Sequence, residues 1–401
     1  MNNFKDTLRA YAAGTLSDEE KAAVEKELDH LEEYQTYVDE VLGDSTSAGK
    51  SEEGTNQIPL TLSEIPGADK EKKLIFRGKW KARIFNAITL LCILLLLLVL
   101  SLTLTGVYYM AGNPGRSDLY TDTVISTIAV TKPNVTLRQN STEVNPLSLF
   151  VKGNLIKQVG SSRIVIGQFS QSFFFSKAGQ PVINYYTEQE VSSQPSFLLP
   201  NSSRDNFPSD WTQLEKLPEG TVSEVYLSLD RYYSTNEVLK KLEGKTMLPT
   251  WFAVDCGPDS APDYSMGTIS MPIGFPYYPI WHHNDWTQTS YQETKGPLLS
   301  KTVSASYSAP TVEDYGSGEL RNKNFIQTLQ LIRNHKGIAS SIDYNLSTHL
   351  DQILQYVDQK GVRLYGVVVT GPTKEILKLE KESWVSAAKL GETHLWNWQD
   401  F

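Results

Sequence analysis

Leu90-Leu91-Cys92-Ile93-Leu94-Leu95-Leu96-Leu97-Leu98-Val99-Leu100 is the centre of an apolar run, residues 84–110, in which no side chain is charged. At about 1.5 Å of rise per residue, roughly 20 helical residues cross a hydrocarbon layer of about 30 Å, so the run is long enough for one transmembrane helix. A helix is the only single-segment structure that satisfies its own backbone in lipid. Thr89, Ser101, Thr103 and Thr105 are expected to bond back to their own helix, and Tyr108 and Tyr109 stand where interfacial aromatics belong. The 83 residues ahead of the run far exceed the charged leader of a secretory signal. A buried helix of a soluble domain is the plainer alternative, and so long an uninterrupted apolar stretch argues against it.

Flanking charge sets the expected direction. Residues 69–83 carry seven Lys or Arg and two acids, a local +5 within a chain of −9. Arg116 is the one basic residue among the first twenty after the run. The positive-inside rule then puts residues 1–83 in the cytoplasm and residues 111–401 outside it, in a single-pass protein of the cell membrane. One span cannot by itself make a channel or transporter. Residues 1–44 carry −8, which repels phosphate and argues against direct nucleic acid binding; a basic protein partner suits it better. The two cysteines, Cys92 and Cys256, are too few for a Cys₄ zinc site or a disulfide framework.

Residues 1–43 read as a small all-α domain. Phe4, Leu8 and Tyr11 recur at helical spacing and Gly14 marks a stop. Ser17-Asp18-Glu19-Glu20 reads as a capping box, the Ser17 side chain accepting an amide hydrogen bond while Glu20 reaches back. From there Val24, Leu28, Leu31, Tyr34, Val38, Val41 and Leu42 form one apolar stripe opposite Glu25, Lys26, Asp29, Glu32, Glu33, Asp39 and Glu40. So short a domain buries little without a metal, a disulfide or a partner. The stripe either completes its core on another protein, closes as a helical hairpin, or pairs two copies of this chain. Residues 44–67, rich in Gly, Ser, Thr and Glu, read as a flexible linker. Residues 68–83 read as a basic juxtamembrane collar lying on the lipid bilayer, at about 1 kcal/mol per basic side chain.

Residues 111–401 read as an α+β domain on a mostly mixed sheet. Residues 121–130 and 164–169 are short β-branched runs. Ser223, Val225, Leu227 and Leu229 alternate with Glu224, Tyr226, Ser228 and Asp230, which predicts a strand. Ser234-Thr235-Asn236-Glu237 is a second capping box. Residues 247–254 and 362–370 read as strands. Residues 325–334, 350–357 and 373–379 read as helices, with Gly337 and Gly361 past the ends of the first two. Residues 257–320 read mostly as loop. Within them Phe275, Tyr277, Tyr278, Trp281 and Trp286 are candidates for an outer ligand groove that stacks a sugar or takes an extended peptide, against the plainer reading of a loop packed on its own sheet. His282, His283 and Asp285 are metal-capable, but adjacent histidines point apart unless the backbone bends, and no metal or cofactor is expected. No hydrolase, metalloprotease or nucleotide-loop signature occurs. A membrane-anchored envelope enzyme or a receptor, with its site in residues 111–401, is the alternative class.

Tyr11-Ala12-Ala13-Gly14-Thr15-Leu16-Ser17-Asp18-Glu19-Glu20, followed by a helix and His30, resembles the anti-sigma domain of bacterial anti-sigma factors. In the zinc-bearing form His-x₃-Cys-x₂-Cys closes that helix; here the two Cys positions are Tyr34 and Tyr37, which cannot replace thiolates. The resemblance thus implies a zinc-free variant, with two aromatics packed where the metal would be. Tyr365-Gly366-Val367-Val368-Val369-Thr370-Gly371-Pro372-Thr373-Lys374-Glu375-Ile376-Leu377 closely resembles the C-terminal sensor domain of sigma factor regulators, single-span anti-sigma factors of Firmicutes. Residues 221–230, Gly274-Phe275-Pro276-Tyr277-Tyr278-Pro279 and Arg77-Gly78-Lys79-Trp80-Lys81-Ala82-Arg83 resemble the same family, most closely its sigma-M type. The resemblance covers nearly the whole chain. It implies a non-enzymatic regulator that holds an extracytoplasmic-function sigma factor at the membrane and frees it when the outer domain registers envelope stress. It also implies a small accessory membrane protein as a partner. The expected sigma contacts, or the core that shapes them, are Leu8, Tyr11, Leu16, Val24, Leu28, Leu31, Tyr34, Val38 and Leu42.

Overall fold

The computed structural model describes residues 11, 14, 16–43, 68–186, 195–203, 207–261, 264–295 and 301–396. The chain divides into two units, Met1–Asn86 and Ala87–Phe401. In the first, α1 (Asp18–Gly43) is one helix of 26 residues. Gly14 turns the chain ahead of it with φ of +68°, a left-handed conformation that glycine adopts without steric cost, and donates its amide to the Tyr11 carbonyl. Ser17 and Glu20 meet as the capping box predicts, but the Ser17 hydroxyl donates: Ser17 Oγ and N bond Glu20 Oε2 at 2.8 and 3.1 Å. These bonds, the hydroxyl's first, hold the Glu20 carboxyl below the usual range. The predicted linker, residues 44–67, lies outside the described residues.

The collar and the apolar run form one unbroken helix, α2 (Ala68–Met110). It is the one helix among the described residues long and apolar enough to cross a membrane. Thr103 and Thr105 donate their hydroxyls to the Val99 and Ser101 carbonyls at 2.8 and 2.6 Å, whereas Ser101 Oγ finds no partner among the described residues.

Beyond it, the second unit is α+β. Its elements are α3 (Arg116–Thr131), β1 (Val135–Asn145), β2 (Ser148–Val159), β3 (Ser162–Phe174), β4 (Lys177–Ala178), β5 (Val182–Tyr185), β6 (Phe197–Leu198), α4 (Trp211–Lys216), β7 (Thr221–Tyr233), α5 (Thr235–Leu242), β8 (Leu248–Val254), β9 (Thr268–Ile269), β10 (Gly274–Pro276), β11 (Thr287–Lys295), β12 (Lys301–Ser308), α6 (Gly318–Asn334), α7 (Lys336–Ile342), α8 (Tyr344–Lys360), β13 (Leu364–Pro372), α9 (Thr373–Leu377) and β14 (Val385–Leu395). The first sheet runs β1-β2-β3-β4, with β5 also on β3; the second runs β10-β8-β13-β7-β14. All pairings are antiparallel, so the mixed sheet the sequence predicts is not formed.

Two further expectations are corrected. Residues 121–130 are β-branched but lie in the helix α3. Thr121, Thr123, Thr127 and Thr131 each donate a hydroxyl to the carbonyl four residues back, at 2.7–2.8 Å, and Val124, Ile128 and Val130 are fully buried. Burial contributes roughly 1.5–3 kcal/mol per such side chain, more than the ~0.7 kcal/mol at most that a β-branched residue costs a helix. Residues 257–320 hold the β11–β12 ribbon, whose described side chains are almost all exposed. Gly337 lies past the end of α6 at Asn334, as predicted, and is the second residue of the short helix α7. The predicted capping box of Ser234 and Glu237 is complete, and Gly361 caps α8 with φ of +72°.

Strand β7 shows alternation without a wet face. Val225, Leu227 and Leu229 pack under α5, α6 and α8, while Tyr226 on the other face joins Phe197, Trp251 and Tyr365. Glu224, on that second face, is fully buried; its carboxylate accepts from Asn134 Nδ2 at 2.7 Å, Lys157 Nζ at 3.2 Å and the Glu392 amide at 3.2 Å. This pair joins the two sheets. Glu224→Ala leaves a buried ammonium without its carboxylate and is expected to cost about 3–5 kcal/mol; the double change Glu224→Leu with Lys157→Met recovers much of it. Thermal denaturation of the detergent-solubilised chain reads both, and equal losses in the two variants would refute the account.

Candidate functional site

On α1, Val24 is buried and Leu28 half-buried, while Leu31 is 49% and Tyr34 67% exposed. Tyr11 and Leu16 are half-buried, and Tyr11 OH donates to Glu25 Oε1 at 2.9 Å, which raises the phenol pKa. Leu8 lies outside the described residues, as do the side chains of Val38 and Leu42. The helix thus turns Val24 and Leu28 inward and leaves an apolar edge open. Tyr34 and Tyr37 do not pack together as the resemblance implies: both rings are exposed, because no described element opposes them. His30 pairs with Glu33 at 3.6 Å on the surface.

In the second unit the aromatic segment splits. Phe275 and Tyr277 are core residues, packed on Phe252 and Phe325, so they cannot line an open groove. Tyr278 and Trp286 are exposed and Trp281 is half-buried. Arg321, which the sequence does not flag, fastens this segment from within: its guanidinium donates to the carbonyls of Tyr277, Glu313 and Asp314 and lies over the Tyr277 ring. Burial lowers its pKa.

The histidines engage helix α3. Ser126 Oγ and His282 Nε2 are 2.9 Å apart, and His282 Nδ1 is 3.2 Å from Asp285 Oδ2. The His283 amide donates to Asp122 Oδ2 at 3.0 Å; its Nδ1 lies 3.0 Å from the same oxygen, and its Nε2 3.6 Å from Asp118 Oδ1. Burial pushes the Asp285 carboxyl up, but the hydrogen bonds from His282 outweigh it and hold the carboxyl below the usual range. Ser126, His282 and Asp285 have the spacing of a nucleophile–base–acid relay, yet Ser126 is fully buried, so the trio fastens a loop to α3. Among the described residues no three His, Cys, Asp or Glu side chains group as metal ligands. A cavity of about 220 Å³, lined by Lys132, Ile166, Tyr185, Met271, Asp343 and Asn345, is smaller than the roughly 300–1,000 Å³ that drug-sized ligands occupy.

Two family models match the chain: sigma factor regulator N-terminal over residues 72–164 and sigma factor regulator C-terminal over residues 214–392. The probable anti-sigma-M factor YhdL of Bacillus subtilis (strain 168) is 30% identical over 401 aligned residues, covering 98% of this chain and 99% of the relative. The chain belongs to the sigma factor regulator family. It is therefore a regulatory protein and not an enzyme, which removes the envelope-enzyme alternative. No solved structure matches this sigma factor regulator. The N-terminal match begins inside α2, so α1 lies outside it, while the helix α3 and the first two strands lie within it.

If the histidine contacts hold the loop, His282→Ala frees it from α3. Hydrogen exchange at the amides of residues 282–286 is expected to speed up at least ~10-fold, with β7 and β13 unchanged. Unchanged exchange in the loop would show that Arg321 and Tyr277 hold it alone.

Proposed function

We propose that this sigma factor regulator is a single-pass anti-sigma factor: it holds an extracytoplasmic-function sigma factor at the membrane through α1 and releases it when the outer unit registers envelope stress. The observation that carries the reading is the open apolar edge of α1, with Leu31 and Tyr34 exposed on a helix whose remaining surface is acidic. A monomeric helix has no use for that edge in water, and a partner buries it at roughly 1.5–3 kcal/mol per side chain. The acidic surface steers a basic partner and speeds association. The name of the Bacillus subtilis relative supports a sigma factor of the sigma-M type as that partner. The proposed topology has α1 in the cytoplasm and residues 111–401 outside, on the strength of the seven basic side chains of residues 69–83. A small accessory membrane protein is a further proposed partner, with the exposed apolar surface of α2 available to it.

Leu31→Asp and Tyr34→Asp change exposed positions and should leave helix content unaltered by circular dichroism. Each is expected to weaken capture of the sigma factor by the full-length chain about 30-fold, or 2 kcal/mol, as removal of an interface anchor does. Capture at wild-type strength by both variants would remove the stripe from the interface. Copurification of the tagged chain from its source cells, with a sigma factor as the main captured protein, tests the partner class itself.

A further inference from the structure

We infer that the outer unit docks into the headgroup layer of the bilayer through the tips of two hairpins, β1–β2 and β3–β4, beside the exit of α2. The inference rests on the reading of α2 as a membrane span. Residues 84–104 are 21 residues, about 31 Å of helix, which matches a hydrocarbon layer of about 30 Å. Residues 105–108, about 6 Å of helix, then fall in the polar layer, about 5–7 Å deep on each side, with Tyr109 and Met110 at its outer edge.

Those residues are the ones that carry the outer unit. Thr105 Oγ1 accepts the Leu147 amide at 2.8 Å. The Tyr108 ring meets Phe175 edge-on at 5.0 Å. Tyr109 OH donates to the carbonyls of Phe173 and Phe175 at 3.0 and 3.3 Å. Leu147 lies in the β1–β2 turn, where it holds φ of +62°, and Phe175 lies between β3 and β4. A non-glycine residue at positive φ is costly, and here it aims the turn's amide at Thr105. The hydrogen bonds therefore fix both tips at the height of Thr105 to Tyr109.

The tips present apolar side chains beside the polar Asn145, Ser176 and Lys177, which are also exposed. Phe174 is 57% exposed with its ring against Phe175, and Val144 and Pro146 are exposed beside Leu147. Leu104, Val107 and Met110 of α2 are exposed as well, on the sides of the helix turned away from Thr105 and Tyr109, so the span meets lipid around the tips' attachment. That height commits the occupant to lipid: the tips are held beside the last turns of the span, and aromatic and aliphatic side chains at this depth are favoured at the membrane boundary.

The test places nitroxide labels on the full-length chain in nanodiscs of phosphatidylcholine and phosphatidylglycerol. Native Cys92 labels the span. Phe174→Cys, Val144→Cys and Ser161→Cys are made in a Cys92→Ser background, with buried Cys256 as the unlabelled control. Ser161 lies beyond the far end of β2, a strand of 12 residues, about 40 Å from the tip. Collision with oxygen relative to a water-soluble nickel chelate reads depth. The expected ratio at Phe174→Cys and Val144→Cys is several-fold above that at Ser161→Cys and below that at Cys92. Equal ratios at all three introduced sites, with a high ratio at Cys92, overturn the docking and leave the span intact. A water-like ratio at Cys92 overturns the span and the docking together. Phe174 is exposed, so its replacement is expected to leave the melting temperature unchanged; the native chain's own fold is then what the labels report.

Discussion

Tyr109, in the last turn of the apolar helix, lies inside the core of the second unit. Its ring is 1% exposed among Tyr108, Tyr120, Leu149 and Phe173, and its hydroxyl is satisfied by two backbone carbonyls. Arg116 returns to the same point, donating to the Tyr108 carbonyl at 2.9 Å and lying over the Tyr108 ring. A phenol buried without partners costs of the order of a hydrogen bond's desolvation, so the satisfied site is far more stable than one in which the helix end swings free. The last turns of α2 and the first sheet therefore move as one body. On the proposed reading, whatever the outer unit registers reaches the membrane as a tilt, rotation or displacement of a whole helix, the kind of discrete shift that packed interfaces support.

Helix α3 is the next element along the chain, and three parts of the second unit converge on it. The first sheet meets it through Val135 and Leu137. The second sheet meets it through Trp251, whose indole N–H donates to the Ala129 carbonyl at 2.8 Å. The loop of residues 280–286 meets it through Asp122 and Ser126. Only residues 111–115 separate α3 from α2. A ligand or partner that altered either sheet would strain α3 first, and α3 has no soft face to absorb it, since ten of its sixteen residues are buried. The small cavity beside Lys132 and Tyr185 opens at the C-terminal end of this helix, where α3 hands the chain to the first sheet.

How much of this could be read from the chain depends on whether a local pattern fixed the answer. The apolar run, the Ser234 capping box, the strands around Val225 and Val367 and the helix around Ile353 follow from periodicity and capping alone. Residues 121–130 were illegible because their β propensity points one way and their burial the other; only the second is large, and it depends on contacts with strands far along the chain. Tyr109 illustrates a second kind of failure. A tyrosine at the end of a span has an ordinary role at the lipid boundary, and nothing local says that the carbonyl of Phe173, 64 residues later, will accept its hydrogen bond. Arg321 is a third: a lone arginine amid polar residues carries no motif, and its function lies in three carbonyls that the fold brings together.

The site on α1 was legible in composition and only partly in geometry. A stripe of seven apolar positions predicts one face, but the helix divides it, with Val24 turned inward and Leu31 and Tyr34 left open. That division bears on how charge and apolar surface share the work of holding a partner. Exposed ion pairs contribute about 0–1 kcal/mol each and are screened over about 8 Å at physiological salt. Two buried anchors at roughly 1.5–3 kcal/mol each outweigh several such pairs. On the proposed reading the acidic face governs how fast a basic partner arrives and which partners are repelled, while the open edge governs how long it stays. Moving such a complex from nearly all bound to nearly all free takes about 5.5 kcal/mol of differential stabilisation, more than the loss of a few rim charges supplies. Release on the proposed reading must therefore uncover the apolar edge itself.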